Sequence, residues 1–390
     1  MKSYAAAALA AALSFAPAFA TEELDRLFAD YWTNELAENP LSATYSGVEG
    51  YNDKMPSATP ADQARRLDES KAFLARLEAA DLGAASDDDR LNASLLGFIL
   101  RHSIALGAFD GWRIPFLSDS GFHNEFSFVV DATPFRNEAD YRAYLARLGA
   151  LPAYLDQNVL NMRQGLKDGF TQPKEILAGI LPSFEAQASP AALDHPLYAP
   201  FKTMPAPIPK SRAKALREEG EALIGGTVIP AFRRAYEFMR DDYAPNASEK
   251  IGASNLPGGG AYYEALVRYY TTRDDVTADG IHQLGLKEVA RIRKEMDGVI
   301  KRTGFDGDFA AFLDFLRTDP QFYAKTPEEL LERAAFLSKA IDGKLPGYFG
   351  KLPRQPYSVE AVPDEIAPNY TSGRYVAAPP GGTRGGRYWV

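Results

Sequence analysis

The residue types that carry most enzyme chemistry are scarce in this chain. It has four histidines, His102, His123, His195 and His282, and no cysteine. A helical zinc site needs two ligands on one face, as in His-Glu-x-x-His, where residues i and i+4 project together. No histidine here has another within ten residues, so that motif is absent. A cysteine nucleophile is excluded, and no Gly-x-Ser-x-Gly elbow occurs. The run Asn255-Leu256-Pro257-Gly258-Gly259-Gly260 has the glycine content of a phosphate-cradling loop. It lacks the Gly-Lys-Ser/Thr ending and follows no clear strand signal, so nucleotide binding is not assigned to it. Asp87-Asp88-Asp89 reads as a helix start rather than a metal site, because acids suit the positive end of the helix dipole.

Two places remain where side chains could meet a ligand. His123 lies in Ser118-Asp119-Ser120-Gly121-Phe122-His123-Asn124-Glu125, a stretch of loop character, where functional groups concentrate. His282 is different. It flanks an expected buried helical stripe of Ile281, Leu284, Val289, Ile292 and Met296. Glu288, six positions on, lies roughly 240° round the helix from it, so the two cannot cooperate, and His282 reads as a hydrogen-bonded boundary residue. The second place is the C-terminal segment, where Tyr375, Arg384, Gly386 and Tyr388 sit in or beside short alternating runs. Glycines at 381, 382, 385 and 386 permit close backbone approach. A strand edge there could pair with an extended peptide; an ordinary hairpin is the competing reading.

The elements that must position these groups are mostly helices. Leu24, Leu27, Phe28 and Tyr31 recur at helical spacing. Asn137 stands as an N-cap before a run carrying Tyr141, Tyr144, Leu145, Leu148 and Leu151. Thr326-Pro327-Glu328-Glu329 combines a cap, a proline in the first turn and a capping-box acid. Leu330, Leu331, Ala334, Leu337 and Ile341 then line one face, and Gly343 is the expected stop. Strand signals are confined to the end: Tyr357–Glu360, Gly373–Val376 and Arg387–Val390, separated by Gly/Pro turns. The fold class is therefore mostly α, a large helical domain with a small β element near the C-terminal end. No repeat of fixed period argues for a solenoid.

With 390 residues and 46% hydrophobic composition the chain can bury a large core. Its net charge of −9, with no basic run, disfavours nucleic acid and anionic lipid. Residues 1–20, MKSYAAAALAAALSFAPAFA, carry one cation, a short apolar run, a helix-breaking proline and an Ala-Phe-Ala pattern. That is the signature of a secretory signal peptide cut near Ala20. About 12 apolar residues fall short of the roughly 20 that span a bilayer. The expected product, residues 21–390, is periplasmic or secreted, with no membrane insertion after cleavage and no nucleic-acid partner. Without cysteine it carries neither disulfide nor lipid-bearing thiol.

Several segments resemble a large bacterial family, domain of unknown function family 885. They are Tyr31-Trp32 with Leu36, Asn39-Pro40, Ala43-Thr44 and Gly47, then Tyr141 to Leu148, Leu256 to Tyr263, Ile281 to Ile292, and Ala367-Pro368-Asn369-Tyr370. The resemblance covers essentially the whole mature chain. It implies a mostly helical, often exported protein similar to clefted zinc peptidases. In longer relatives a helix bearing a His-Glu pair follows the strand that resembles residues 380–390. No residue of this chain matches those ligands, so no catalytic or metal residue is assigned. The resemblance implies a scaffold that lacks the metal-binding portion, inactive as given, with no cofactor of its own and zinc expected in the longer relatives. Substrate-binding candidates are Tyr375, Arg384, Gly386, Tyr388 and His123, with a peptide as the possible partner. The competing class is a non-enzymatic exported protein that binds a peptide or small molecule.

Overall fold

The computed structural model describes residues 16–83, 85–118, 120–130, 132–362, 373–378 and 385–390. The leader expected over residues 1–20 lies, except for its last five residues, outside this range. So do Ala367–Tyr370 and Arg384. The chain divides into two compact units, residues 1–277 and 278–390.

The named elements of the first unit are all helices. Its longer helices are α1 (Ala16–Glu38), α3 (Pro60–Ala79), α4 (Asp87–Gly107), α6 (Glu138–Asp168), α7 (Lys174–Ala188), α9 (Lys210–Leu223), α10 (Ile229–Glu237) and α12 (Gly259–Thr271). Four short helices join them: α2 (Pro40–Tyr45), α5 (Glu125–Val130), α8 (Ala199–Lys202) and α11 (Ala244–Asn246). Helix α6 is its spine. The Asn137 side chain accepts from the amides of Ala139 at 2.9 Å and Asp140 at 3.2 Å, satisfying donors that would otherwise lack partners. Gly169, at φ +71°, ends the helix in the left-handed region. The expected stripe of Tyr141, Tyr144, Leu145, Leu148 and Leu151 is buried and continues to Leu155 and Met162. Helix α10 packs on both α6 and α7, closing the main core. The run from α9 to α11 passes through two π-helical segments, Ile224–Val228 and Phe238–Tyr243. Gly225 and Gly226 lie in the first and Pro230 just after it, where missing side chains and a missing amide loosen the regular ladder.

A second, smaller core joins Leu24 and Leu27 of α1 to Leu77 of α3 and to Leu96 and Leu100 of α4. The three consecutive acids do start α4. Ser86 and Asp89 form a reciprocal capping box, and the carboxylates occupy the first turn.

Among its described residues the second unit has three α-helices, α13 (Ala278–Thr303), α14 (Phe309–Thr318) and α15 (Pro327–Asp342). Its strands are β1 (Tyr357–Glu360), β2 (Arg374–Val376) and β3 (Gly386–Trp389), within a residue of the spans expected from sequence. Sheet order is β1-β3-β2: β3 runs parallel to β1 and antiparallel to β2. Helix α15 packs on β1, and the Tyr357 hydroxyl donates to Asp342 Oδ1 at 3.0 Å.

One expectation fails in this unit. The α13 stripe is not buried: Ile281, Leu284, Val289, Ile292 and Met296 are all exposed, Val289 to 68%. On α15, Leu330, Leu337 and Ile341 are exposed as well. Among the described residues of the unit, only Ile300 and Gly386 are buried. The helical period is right, but no described neighbour in the unit covers the face. The α15 start is as expected, with Thr326 Oγ1 accepting from the Glu329 amide at 3.1 Å. Glu329 reaches one residue further than a capping box, to the Lys325 amide at 2.7 Å. Gly343 follows the helix at φ −64°, so the stop does not use its left-handed freedom.

Candidate functional site

The loop that carries His123 is built around a tight reversal. Phe116 and Gly121 form an antiparallel bridge, Leu117 N–H donates to the Ser120 carbonyl at 2.7 Å, and Phe122 N–H donates to the Pro115 carbonyl at 3.2 Å. Glycine is required at 121. A Cβ there would lie 2.5 Å from Phe116 Cβ and 2.8 Å from its Cα. The reversal drops Phe122 and His123 into the core, where the His123 ring stacks on Phe184 at 3.7 Å.

The hydrogen-bond geometry fixes what His123 can do. Ser183 Oγ donates its one proton to the Ile180 carbonyl at 2.6 Å. The 2.7 Å contact between His123 Nε2 and Ser183 Oγ must therefore have the imidazole as donor. That leaves Nδ1 a bare acceptor, buried and without a partner among the described residues. Burial pushes the imidazole down to about 3, so it stays neutral at neutral pH. A serine nucleophile needs the opposite polarity, with histidine accepting its proton. The pair is thus not a catalytic dyad, and His123 presents no surface to a ligand, being 0% exposed.

The other histidines sort in the same way. His195 Nδ1 accepts from Leu197 N–H at 3.2 Å, which places its proton on Nε2, facing the Gln187 carbonyl at 3.1 Å. Burial lowers its pKa too. His102 sits against the rings of Phe98 and Tyr269, beside a recess of about 320 Å³ also lined by Arg101, Arg268 and Asp274. His282 is exposed rather than at a buried boundary.

A group the sequence did not single out lies beside the His123 loop. Glu125 opens α5 and, with Tyr154 of α6, lines a recess of about 400 Å³ walled by Phe116, Leu117 and Phe122. The Tyr154 hydroxyl donates to Glu125 Oε2 at 3.3 Å. Apolar surroundings raise the Glu125 carboxyl above its ordinary value, although the residue as a whole is exposed at the rim. The only sequence signal was position: Glu125 ends the loop segment, and Tyr154 continues the α6 stripe by one step.

Two segments that carry the family resemblance meet at Arg147, which is fully buried. Its Nε donates to the Lys54 carbonyl at 2.9 Å, and its Nη2 to Thr44 Oγ1 at 2.7 Å and to the Tyr51 carbonyl. Among the described residues no carboxylate touches it, and burial pushes the guanidinium down to about 10. This cluster ties the segment from Pro40 to Lys54 onto α6. Its work is structural.

At the C-terminal sheet, β3 is the central strand. Its backbone is engaged by Tyr357–Glu360 on one side and Arg374–Val376 on the other. The expectation of an open edge at 386–389 is therefore corrected, because long-range pairing with β1 and β2 fills both sides. The edge strands are β1 and β2. Tyr375 pairs with Tyr388 in register and is 59% exposed. Gly386 makes room for it: a Cβ there would lie 2.1 Å from the Tyr375 hydroxyl oxygen. Tyr388 is half-buried, and Arg387 faces Glu360 at 3.6 Å. Arg384 is outside the described residues. Among the described residues no group of three or more His, Cys, Asp or Glu side chains is placed to hold a metal ion.

Comparison with known proteins places this architecture. The family model described as bacterial protein of unknown function DUF885 matches residues 40–390. A candidate lipoprotein from Colwellia psychrerythraea has a similar structure, with TM-score 0.86 at 19% identity. The match covers 95% of this chain and 67% of that one. A candidate lipoprotein of unknown function from Shewanella oneidensis gives TM-score 0.59 at 15% identity, over 95% of this chain and 64% of that one. At these identities the likeness shows the fold alone, and the chain spans about two thirds of either structure. No curated protein matches.

Proposed function

The chain belongs to the DUF885 family, and on that premise we propose that it is the helical scaffold of an exported, zinc-peptidase-like hydrolase. In this reading the metal-binding portion lies in polypeptide outside these 390 residues. The described residues do not fit a zinc site, which needs about three protein ligands converging on one point. No catalytic step is therefore routed through this chain.

The observation that carries the reading is the uncovered face of the second unit. Helices α13 and α15 expose Leu284, Val289, Ile292, Leu330, Phe336 and Leu337. Exposed apolar faces of this kind mark an interaction site where they form a patch. A peptide substrate would then pair with the outer edge of β2, beside Tyr375, rather than with β3.

The purified 390-residue chain should bind a hydrophobic dye strongly, and neither retain stoichiometric zinc nor cleave peptides. Zinc at one equivalent, or peptidase activity, would sink the proposal. The gene offers a second test: a reading frame past codon 390 encoding a His-Glu helix is expected, and unrelated sequence there would favour a binding-only product. For export, a reporter fused behind residues 1–20 should appear outside the cytoplasm, cut between Ala20 and Thr21. An uncut reporter retained in the cytoplasm contradicts it.

A further inference from the structure

We propose that the recess between α4 and α12 binds a small carboxylate with an apolar body, its charged group held by Arg101 and Arg268 and its body against Phe98, His102 and Ala105. The site stands on residues of the first unit alone and is independent of the hydrolase reading.

The recess, about 320 Å³, falls at the small end of ligand pockets, which run from roughly 300 to 1,000 Å³. Its floor offers rings and a methyl group to an occupant. Phe98 and His102 are half-buried and Ala105 is exposed, so each keeps surface in the recess. The two rings lean on one another at 4.3 Å, and Tyr269 of α12 stacks on Phe98 at 6.0 Å. That contact joins the two helices and fixes the floor between them. Where α12 ends, Thr272 lines the recess at φ +55°. A β-branched residue in the left-handed region is strained, and such strain gathers at ligand sites.

The charges select the sign of the ligand. Two guanidiniums line the recess against one carboxylate, Asp274. In a chain of net charge −9 that local excess of cations reverses the average. Arg268 makes no ion pair among the described residues. Arg101 is held loosely, 3.7 Å from Glu78 with both side chains more than half exposed, and an exposed pair of this kind is worth little. The planar fork of a guanidinium matches a carboxylate bidentately. A dianion gains less, because Asp274 and the negative end of the α12 dipole both oppose its second charge. An organic cation would meet two like charges.

Isothermal titration of the full chain with phenylacetate tests this, with benzylammonium as the cationic analogue of the same body and phenyl phosphate as the dianion. Saturable binding of phenylacetate is expected, tighter than that of phenyl phosphate, with no measurable binding of benzylammonium. Arg268→Gln, at an exposed position, should weaken phenylacetate by about tenfold, the ordinary worth of a charge-assisted bond. Asp274→Asn should tighten it by removing a like charge, a gain that a purely structural residue would not give. Ala105→Phe, also at an exposed position, should abolish binding by filling the recess, and serves if Arg268→Gln does not fold. Phenylalanine separates the source of the carboxylate: tighter binding than phenylacetate assigns the site to an amino acid with its ammonium on Asp274, weaker binding to a simple organic acid. Equal binding of benzylammonium, tighter binding of phenyl phosphate, undiminished binding by Arg268→Gln or Ala105→Phe, no gain from Asp274→Asn, or no saturable binding of phenylacetate overturns the proposal.

Discussion

Helices α6 and α13 are built to the same specification and meet opposite fates. Each is long, 31 and 26 residues, and each carries an apolar stripe at helical spacing. Helix α6 buries twelve residues, whereas α13 buries only Ile300. The difference lies in their neighbours. Helix α6 has α9 and α10 against its stripe, and α13 has no comparable partner among the described residues of its unit. An amphipathic period specifies which face to bury, and only tertiary contact supplies the burial. A large aliphatic side chain is worth about 1.5–3 kcal/mol when fully buried, so α13 and α15 leave much of their potential stabilisation unused.

The contrast can be broken most directly at the core of the first unit. Arg147→Ala removes the donor that the Lys54 and Tyr51 carbonyls and Thr44 share. It should cost at least about 3 kcal/mol, since buried acceptors left without a partner cost about 1–3 kcal/mol each. Urea unfolding followed by tryptophan fluorescence reads this, and a near-neutral result would show that the 40–54 segment is not held from α6. The paired test is one substitution in both units. Leu148→Ala, at a fully buried site, should lose about 2–5 kcal/mol. Leu284→Ala should change stability by less than about 0.5 kcal/mol. A loss of similar size at Leu284 would mean that something covers α13 in solution, and the comparison between the units would fail.

Acid should act on the first unit through its buried imidazoles. The folded pKa of His123, near 3, lies below the ordinary value of 6.5, so between those values the unfolded chain binds more protons. Stability is then complete above about pH 6.5 and declines as pH falls toward 3, by at most about 1.4 kcal/mol per pH unit for one such group. His195 shifts in the same direction. His123→Leu should flatten the acid limb, because Ser183 already donates to Ile180 and loses no acceptor. An unchanged limb would place the acid sensitivity elsewhere.

The smallest effects concern the caps. Asn137→Ala and Thr326→Ala each remove a side-chain acceptor worth about 1 kcal/mol. The first should lower the stability of the whole first unit. The second should appear only as faster amide exchange over 327–342, because little packing couples α15 to a larger core. Equal global losses would argue that both units melt as one.

Much of the local structure was legible. The Asn137, Thr326 and Asp87–Asp89 helix starts and all three strand spans follow from short-range chemistry: a side-chain oxygen near orphan amides, and alternation bounded by glycine and proline. The candidate site was less legible. His123 was sought as a ligand contact because it sits in a loop, but its fate depends on Ser183, sixty residues away. Gly386 was marked for close approach, and the approaching group proved to be Tyr375 of its own sheet. Glu125 and Tyr154 carried no pattern linking them, since the partners come from different elements.

By itself, the sequence determined a mostly helical chain, the faces its helices would offer, the places they start, and the absence of cysteine and clustered histidine. Those properties depend on spacings of a few residues. Tertiary structure alone decided that β3 is central, that the Ser183–His123 bond runs from imidazole to hydroxyl, that Arg147 is a buried tether, and that the α13 stripe stays exposed. Each depends on groups far apart in the chain, and such meetings leave no local period to read.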